Sequence, residues 1–500
     1  MRRFLILSLL VLNLSCSIQA TEEVIGTDVP TEIPTDIPTE MPTEIPTEVP
    51  TDIPTDTPTE VPTSTPIEMP CAPGAQCIQV DDTGHHSDTG LFVAQCSGQF
   101  PDYVDRIPET YEGTRFLLNQ DYPTSLPTDE PSPWKDFDFQ TAQGADDYMM
   151  AVRQYVYEGM EAADWRLEQN TVRHWYHVPW MTLGQNPREF VRGLTPERRL
   201  TGPELGLRTG VRVQNWAVGF YNSIGAYTIG QVWNNPHAPD PSLSRFAEGT
   251  VVAKVLFTAA KPEDFAGPDP ASGAPSWDAN IFRSIGSSDK EIQSVRLLQM
   301  DVAIRDDRAG VSGWVFGTFA YDPDSQETDS WDRMMPVGLM WGNDPELTDS
   351  AFQAGSKPTE TIVSSLAPSY AVSHLGRSAR MNGPVDNPAS ACLSCHSTAQ
   401  VPAVAPMYPR SSCTESQVMY WFRNIAGSEA FGPVNGCDPQ ATNAENAPIA
   451  VDYSLQVAVA IANQLRPNLV NSCSPQEGVQ MQVLQDKITN SEFEVVEVER

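Results

Sequence analysis

Residues 294–306 read S-V-R-L-L-Q-M-D-V-A-I-R-D, from Ser294 to Asp306. Leu298, Met300, Val302 and Ile304 fall on one side of a pleated chain, and Gln299, Asp301, Ala303 and Arg305 on the other. A period of two, with large apolar residues on one side only, is the pattern of a half-buried antiparallel strand. The turn Asp-Asp-Arg-Ala follows, and then G-V-S-G-W-V-F-G-T-F-A-Y-D from Gly310 to Asp322, so the pair reads as a hairpin. Upstream, T-V-V-A-K-V-L-F-T from Thr250 to Thr258 is rich in β-branched residues and reads as a further strand. An antiparallel sheet is therefore expected over 216–345.

The flanking segments change period. From Gly144 to Glu168 the apolar residues recur at three- and four-residue steps, the spacing of an amphipathic helix. C-T-E-S-Q-V-M-Y-W-F-R-N-I-A-G, from Cys413 to Gly427, reads as a helix ended by glycine, and another is expected from Ser454 to Leu465. The fold class is thus α+β, an antiparallel sheet with flanking helices. Residues 71–215 form an aromatic-rich region of undecided fold, 216–400 the sheet domain, and 401–500 a helical extension with an acidic tail.

Close to the end of the sheet domain the chain reads A-S-A-C-L-S-C-H-S-T-A-Q. Cys392 and Cys395 are three residues apart, so they share one face of a helical turn, and His396 follows at once. Two thiols so placed can each add to a vinyl group of one haem, and the imidazole behind them can bind its iron. One covalent haem c is expected, held by Cys392 and Cys395, with His396 as iron ligand. Met407, in A-P-M-Y-P, is the nearest downstream sulfur and the candidate for the sixth ligand. Two other chemistries use the same residue types. Zinc needs a second ligand pair, for which H-x-x-H at His174 and His177 is the candidate. A redox dithiol wants a lowered thiol pKa in a βαβ setting.

The ends of the 500-residue chain fit an exported haem protein. Arg2 and Arg3 precede an apolar run from Phe4 to Leu14 that is too short to span a bilayer, and cleavage after Ala20 fits a signal peptide over 1–20. L-S-C ending at Cys16 offers a lipid anchor instead. Proline then recurs at every fourth position from Pro30 to Pro70, among Thr, Asp and Glu and without Lys or Arg. Fixed φ angles and missing donors forbid helix and sheet there, so 21–70 is expected to be a disordered stalk, its repeat from Thr27 to Pro70 reaching roughly 140 Å at ~3.1 Å per residue. Such a stalk suits a protein of the periplasm or cell surface, tethered through its N-terminus. Apart from Cys16 and the haem pair, six cysteines remain for disulfides in an oxidising compartment: Cys71, Cys77, Cys96, Cys413, Cys437 and Cys473. A net charge of −34 argues against nucleic acid and permits a cationic protein partner.

The order of these signals resembles the cytochrome c′-beta and cytochrome P-460 family. E-G-T-V-V-A-K-V-L-F, ending at Phe257, is similar to that family's lysine strand. V-R-L-L-Q-M-D-V-A-I-R-D-D-R and then G-W-V-F-G-T-F resemble its next two strands, and A-C-L-S-C-H its late haem site. The resemblance implies an antiparallel-sheet haem domain in which Lys254 lies at the haem edge, bonded to it in crosslinked members. It also implies a five-coordinate haem that binds nitric oxide or oxidises a small nitrogen compound, with Phe257, Trp314, Phe316 and Phe319 as the apolar distal wall. The acid that oxidising members carry soon after the motif has no counterpart in S-T-A-Q-V-P-A-V-A-P-M-Y-P. Electron transfer with an unidentified redox partner protein is therefore the expected role, oxidoreductase activity or gas binding the alternative. A surface interaction module with a structural haem is the third.

Overall fold

A computed structural model describes residues 105, 107–179, 187–235, 238–443 and 447–464. The signal peptide, the stalk, Cys16, Cys71, Cys77, Cys96, Cys473 and the acidic tail lie outside these residues.

Among the described residues the main sheet is antiparallel throughout and has nine strands. They are β1 (Trp175–Tyr176), β2 (Thr195–Thr201), β3 (Arg212–Asn222), β4 (Val251–Thr258), β5 (Ser276–Phe282), β6 (Lys290–Arg305), β7 (Trp314–Tyr321), β8 (Met334–Met340) and β9 (Thr361–Val363). Neighbours run β1-β3-β4-β6-β7-β8-β9, with β2 also on β3 and β5 also on β6. The long β6 takes β4 along one half and β5 along the other. The expected hairpin forms as β6 and β7, with Arg305 opposite Trp314 around a turn over Asp307–Ala309.

The helices are α1 (Ala142–Tyr157), α2 (Ser223–Val232), α3 (Asp349–Gln353), α4 (Ser369–Val372), α5 (Cys392–His396), α6 (Glu415–Val418) and α7 (Leu455–Gln464). Helix α7 forms where the sequence predicts it. Helix α1 stops eleven residues early, at Tyr157, because Gly159 takes a left-handed φ of +76° and the Asn170 side chain caps the Glu158 carbonyl at 2.9 Å. The segment expected as a helix from Cys413 to Gly427 keeps only α6 and a few turns. There the chain is tied by the Cys413–Cys437 disulfide and by the Trp421 indole, which donates to the Pro406 carbonyl at 3.0 Å. Two short ladders, β10 (Gln400–Val401) with β13 (Ile449–Ala450) and β11 (Val434–Asn435) with β12 (Asp438–Pro439), bring the C-terminal stretch back past α5. One core cluster draws residues from Tyr122 to Ile461, so the segments on both sides of 216–400 pack into the same body as the sheet.

Both faces of the sheet are covered. On one, α1 lies so close to β7 that a Cβ at Gly317 would collide with the Met149 sulfur. On the other, the segment before α5 presses Gly383 against Gln299 of β6, and α7 presses Gln456 against Gly219 of β3. This second cover alters the reading of β6. Gln299 is fully buried, so the polar side of the strand faces a protein roof and not water. Leu298 also leaves the line of Met300, Val302 and Ile304. It is the extra residue of a bulge in β6 opposite the Leu256–Phe257 step of β4, and it turns into a second cluster with Leu256 and Ala217.

Asn222 welds β3 to its neighbours. Its Oδ1 accepts from the backbone N–H of Gly225 and of Val251, each at 3.1 Å, and its Nδ2 donates to the Tyr155 hydroxyl at 3.0 Å and the Gly249 carbonyl at 2.9 Å. The side chain is fully buried, so Asn222→Ala leaves donors and acceptors of three elements unpaired. A loss of about 2–4 kcal/mol is expected, read as a lower urea midpoint at unchanged slope.

Candidate cofactor-attachment site

Helix α5 is one turn, and its N-terminal end is held by two hydrogen bonds. The Cys392 N–H donates to the Met381 carbonyl at 3.0 Å, and the Ser394 hydroxyl oxygen accepts the Ala391 N–H at 2.8 Å. Cys392 and Cys395 are unbridged and partly exposed. Burial pushes the Cys395 thiol up to about 12, with Asp386 adding to the rise and Lys254 opposing it. Cys392 is raised as well, by burial first and then by Asp301 and Asp386. A dithiol redox centre works through a lowered thiolate pKa, so the environment of these thiols is the reverse of what that chemistry uses.

His396 is fixed by a residue far along the chain. Its Nδ1 lies 2.9 Å from the Tyr453 carbonyl oxygen. A carbonyl only accepts, so Nδ1 carries the proton and Nε2 presents its lone pair. Burial holds the imidazole down at about 4, which keeps it neutral at pH 7. The Phe316 ring of β7 packs against it at 4.7 Å between centroids, and Trp314 lies beside Phe316. Phe257 and Phe319 do not share this side. Phe257 stacks on Trp277 at 4.2 Å, and Phe319 alternates with Phe316 on β7, so both face the α1 side of the sheet.

A row of paired residues crosses the sheet on the motif's side: Gly219, Lys254, Asp301, Thr318 and Gly338, on β3, β4, β6, β7 and β8. Lys254 reaches Glu197 of β2 at 3.1 Å and keeps a side chain 29 % exposed. Burial lowers its pKa, but Glu197, Asp301 and Asp386 outweigh burial and hold the ammonium above the ordinary lysine value. Asp301 Oδ1 accepts from Gln299 Nε2 and from the Thr318 hydroxyl, each at 2.8 Å, and the same Gln299 nitrogen donates to Asp386 Oδ2 at 2.9 Å. Burial and then the Asp386 charge push the Asp301 carboxyl up. The thiols, the imidazole and Lys254 thus sit among three acids, of which Glu197 and Asp301 are distant from the motif in sequence and Asp386 lies six residues ahead of Cys392.

The structure does not gather every candidate here. Met407 is 38 % exposed and stands outside the core cluster against which Cys392 packs. His174 is exposed. His177 is buried, with Nδ1 accepting the Asn119 N–H at 2.9 Å, and burial plus the Arg188 charge lowers its pKa to about 3. It is a satisfied core histidine. Among the described residues, no three His, Cys, Asp or Glu side chains converge as a metal-ligand group.

His177 gives a pH prediction. Its folded pKa lies below the unfolded value near 6.5, so the unfolded chain binds the extra proton as pH falls. Stability should fall on acidification from about pH 6.5 to about 3, by up to about 1.4 kcal/mol per unit from this group. Asp105, raised to about 6 chiefly by burial, opposes the trend over the upper part of that window. His177→Gln, whose amide oxygen can accept from Asn119, should flatten the slope of unfolding free energy against pH.

No helix among the described residues is long and apolar enough to cross a membrane. Comparison of the chain with protein-family models, with curated proteins and with solved structures finds no match.

Proposed function

We propose that the protein is an exported monohaem c-type cytochrome that carries electrons to or from a partner protein. The supporting observation is the tautomer of His396. Its Nδ1–H is spent on the Tyr453 carbonyl, and its bare Nε2 stands one turn from two unbridged thiols. In this reading Cys392 and Cys395 hold the group as thioethers, and His396 binds the iron. When bound, haem supplies a one-electron Fe(III)/Fe(II) couple. The chain's own residues set its surroundings: Phe316 orients the imidazole, and the carboxylates of Asp301, Asp386 and Glu197 favour the more positive, oxidised state.

Lys254 supports a second reading, a five-coordinate haem that binds nitric oxide or oxidises a small nitrogen compound, as in the family the sequence resembles. The acids missing after the motif are provided by β2, β6 and the 383–386 turn. An ammonium held charged by three carboxylates is a weak nucleophile, so an ionic contact at the haem edge suits Lys254 better than a covalent one. Met407 would need to fold inward to serve as a sixth ligand.

Visible spectra of the exported protein, oxidised and reduced, with and without nitric oxide, separate these readings. A low-spin spectrum indifferent to the gas is expected for the electron carrier, and a high-spin spectrum that shifts identifies the gas-binding form. Lys254→Ala should leave the reduced band in place. A red-shifted band that this substitution abolishes would establish a covalent bond to Lys254.

A further inference from the structure

The turn that joins β6 to β7, the stretch just before β4 and residues 426–428 enclose a cleft of about 230 Å³. At ~30 Å³ per water it has room for about seven waters, or one small organic ion. Two guanidiniums border it. Arg245 is anchored through Nη1, which donates to the carbonyls of Ser244 at 2.7 Å and Ala450 at 3.0 Å. Arg305 donates through Nη1 to the Gly313 carbonyl, and its Nη2 lies 3.2 Å from Asp307. Its Nε is shielded from solvent and has no acceptor. That nitrogen is walled off from the cleft, so the donors Arg305 can offer there are those of its terminal nitrogens.

The two acids at the cleft do not make it a cation site. Asp452 spends one oxygen on the Trp314 indole N–H at 2.9 Å and the other on the Phe246 N–H at 2.8 Å. Asp307 has a side chain 69 % exposed and turns toward Arg305. Gly310 and Gly313, at φ +66° and +68°, keep the turn free of side chains where the guanidinium passes, and a Cβ at Gly313 would overlap the Arg305 guanidinium. The two arginines balance the two acids, so the cleft is locally neutral on a chain of net charge −34.

We infer that this cleft binds a small oxyanion, a carboxylate or inorganic phosphate, between Arg245 and Arg305. The planar forks of the two side chains suit the paired oxygens of such a group, and both are anchored before the ligand arrives. The inference is independent of the haem, because no residue of the motif lines the cleft.

The test is titration of the full chain, in a low-salt buffer free of competing oxyanions, with acetate, succinate and inorganic phosphate in turn, followed by calorimetry. The indole N–H resonance of Trp314, assigned by its loss in Trp314→Phe, reports from the wall of the cleft through Asp452. Saturable binding of at least one probe is expected, with a shift of that resonance. Arg245→Gln and Arg305→Gln should each weaken it about tenfold, the loss of one charge-assisted contact. The probe that binds tells a carboxylate site from a phosphate site. Because Arg305 also holds its turn, Asp307→Asn provides a variant that leaves the turn's anchor intact. It removes the competing carboxylate and should tighten binding severalfold. No saturable binding by any probe would overturn the inference. So would binding that both arginine variants leave within twofold, or binding that Asp307→Asn leaves unchanged.

Discussion

Secreted from a host that assembles c-type cytochromes, the Cys392→Ala, Cys395→Ala double variant should leave the cell with no covalently bound haem. The wild-type chain should carry the added mass of one. The two sulfurs are the only groups in the α5 turn able to form thioethers, and both are unbridged. Either single variant should keep one thioether and a weaker haem stain. His396→Ala isolates the other half of the site. It leaves both thiols in place, so covalent haem should still be found, but with the spectrum of an iron that has lost its nitrogen ligand. Intact-mass measurement decides the matter: a wild-type chain at its bare processed mass ends the cytochrome reading outright.

The second large effect is expected at Arg380. This guanidinium is fully buried, and burial lowers its pKa to about 10 against the pull of Asp344 and Asp349. Its Nε donates to the Asn343 carbonyl at 2.8 Å, and its Nη2 to those of Asp344 at 2.8 Å and Leu347 at 2.7 Å. It also lies over the Phe422 ring at 4.5 Å. Arg380→Ala strips the acceptors of a whole loop and opens a cavity, at an expected cost of about 3–5 kcal/mol in chemical denaturation. Arg380→Lys should recover less than half, since one ammonium cannot span these carbonyls as a planar fork does. The loss should reach the motif too. Arg380 is followed by Met381, whose carbonyl holds the Cys392 N–H.

Period-two alternation and β-branched content located β4, β6 and β7 but not the strands β1 and β2, which lie before the expected sheet at 216–345, nor β9 after it. Val251–Thr258 and the hairpin of β6 and β7 follow from runs legible in the sequence, whereas the pairing of Lys254 with Asp301 is seen only in the fold. The same rule erred where tertiary structure added a layer. Asp301 and Gln299 read as the wet side of a strand, because nothing local to them announces a roof assembled from 376–399 and α7. Helix lengths failed for a related reason. Capping by Asn170 and the disulfide at Cys413 are decided by partners that spacing does not reveal. Within the candidate site, Cys392, Cys395 and His396 were plain from their spacing. Glu197, Asp301, Asp386 and Tyr453 were not, because each arrives from a different element. A charged residue amid β6 was the one local hint, since Asp is depleted in strand interiors unless something receives it.

The α5 turn has a consequence for the order of events in the molecule's assembly. Five residues cannot hold a helix in water unaided. The carbonyl that aims His396 lies 57 positions further on. Until the C-terminal stretch has docked, the two sulfurs and the ring belong to a slack strand, open to any enzyme that handles unfolded chains. Once Tyr453 arrives, the same atoms are held in a fixed turn between sheet and roof, only partly open to solvent. Chemistry on them therefore belongs to the interval before closure, and a chain truncated ahead of Tyr453 should remain modifiable yet never lock.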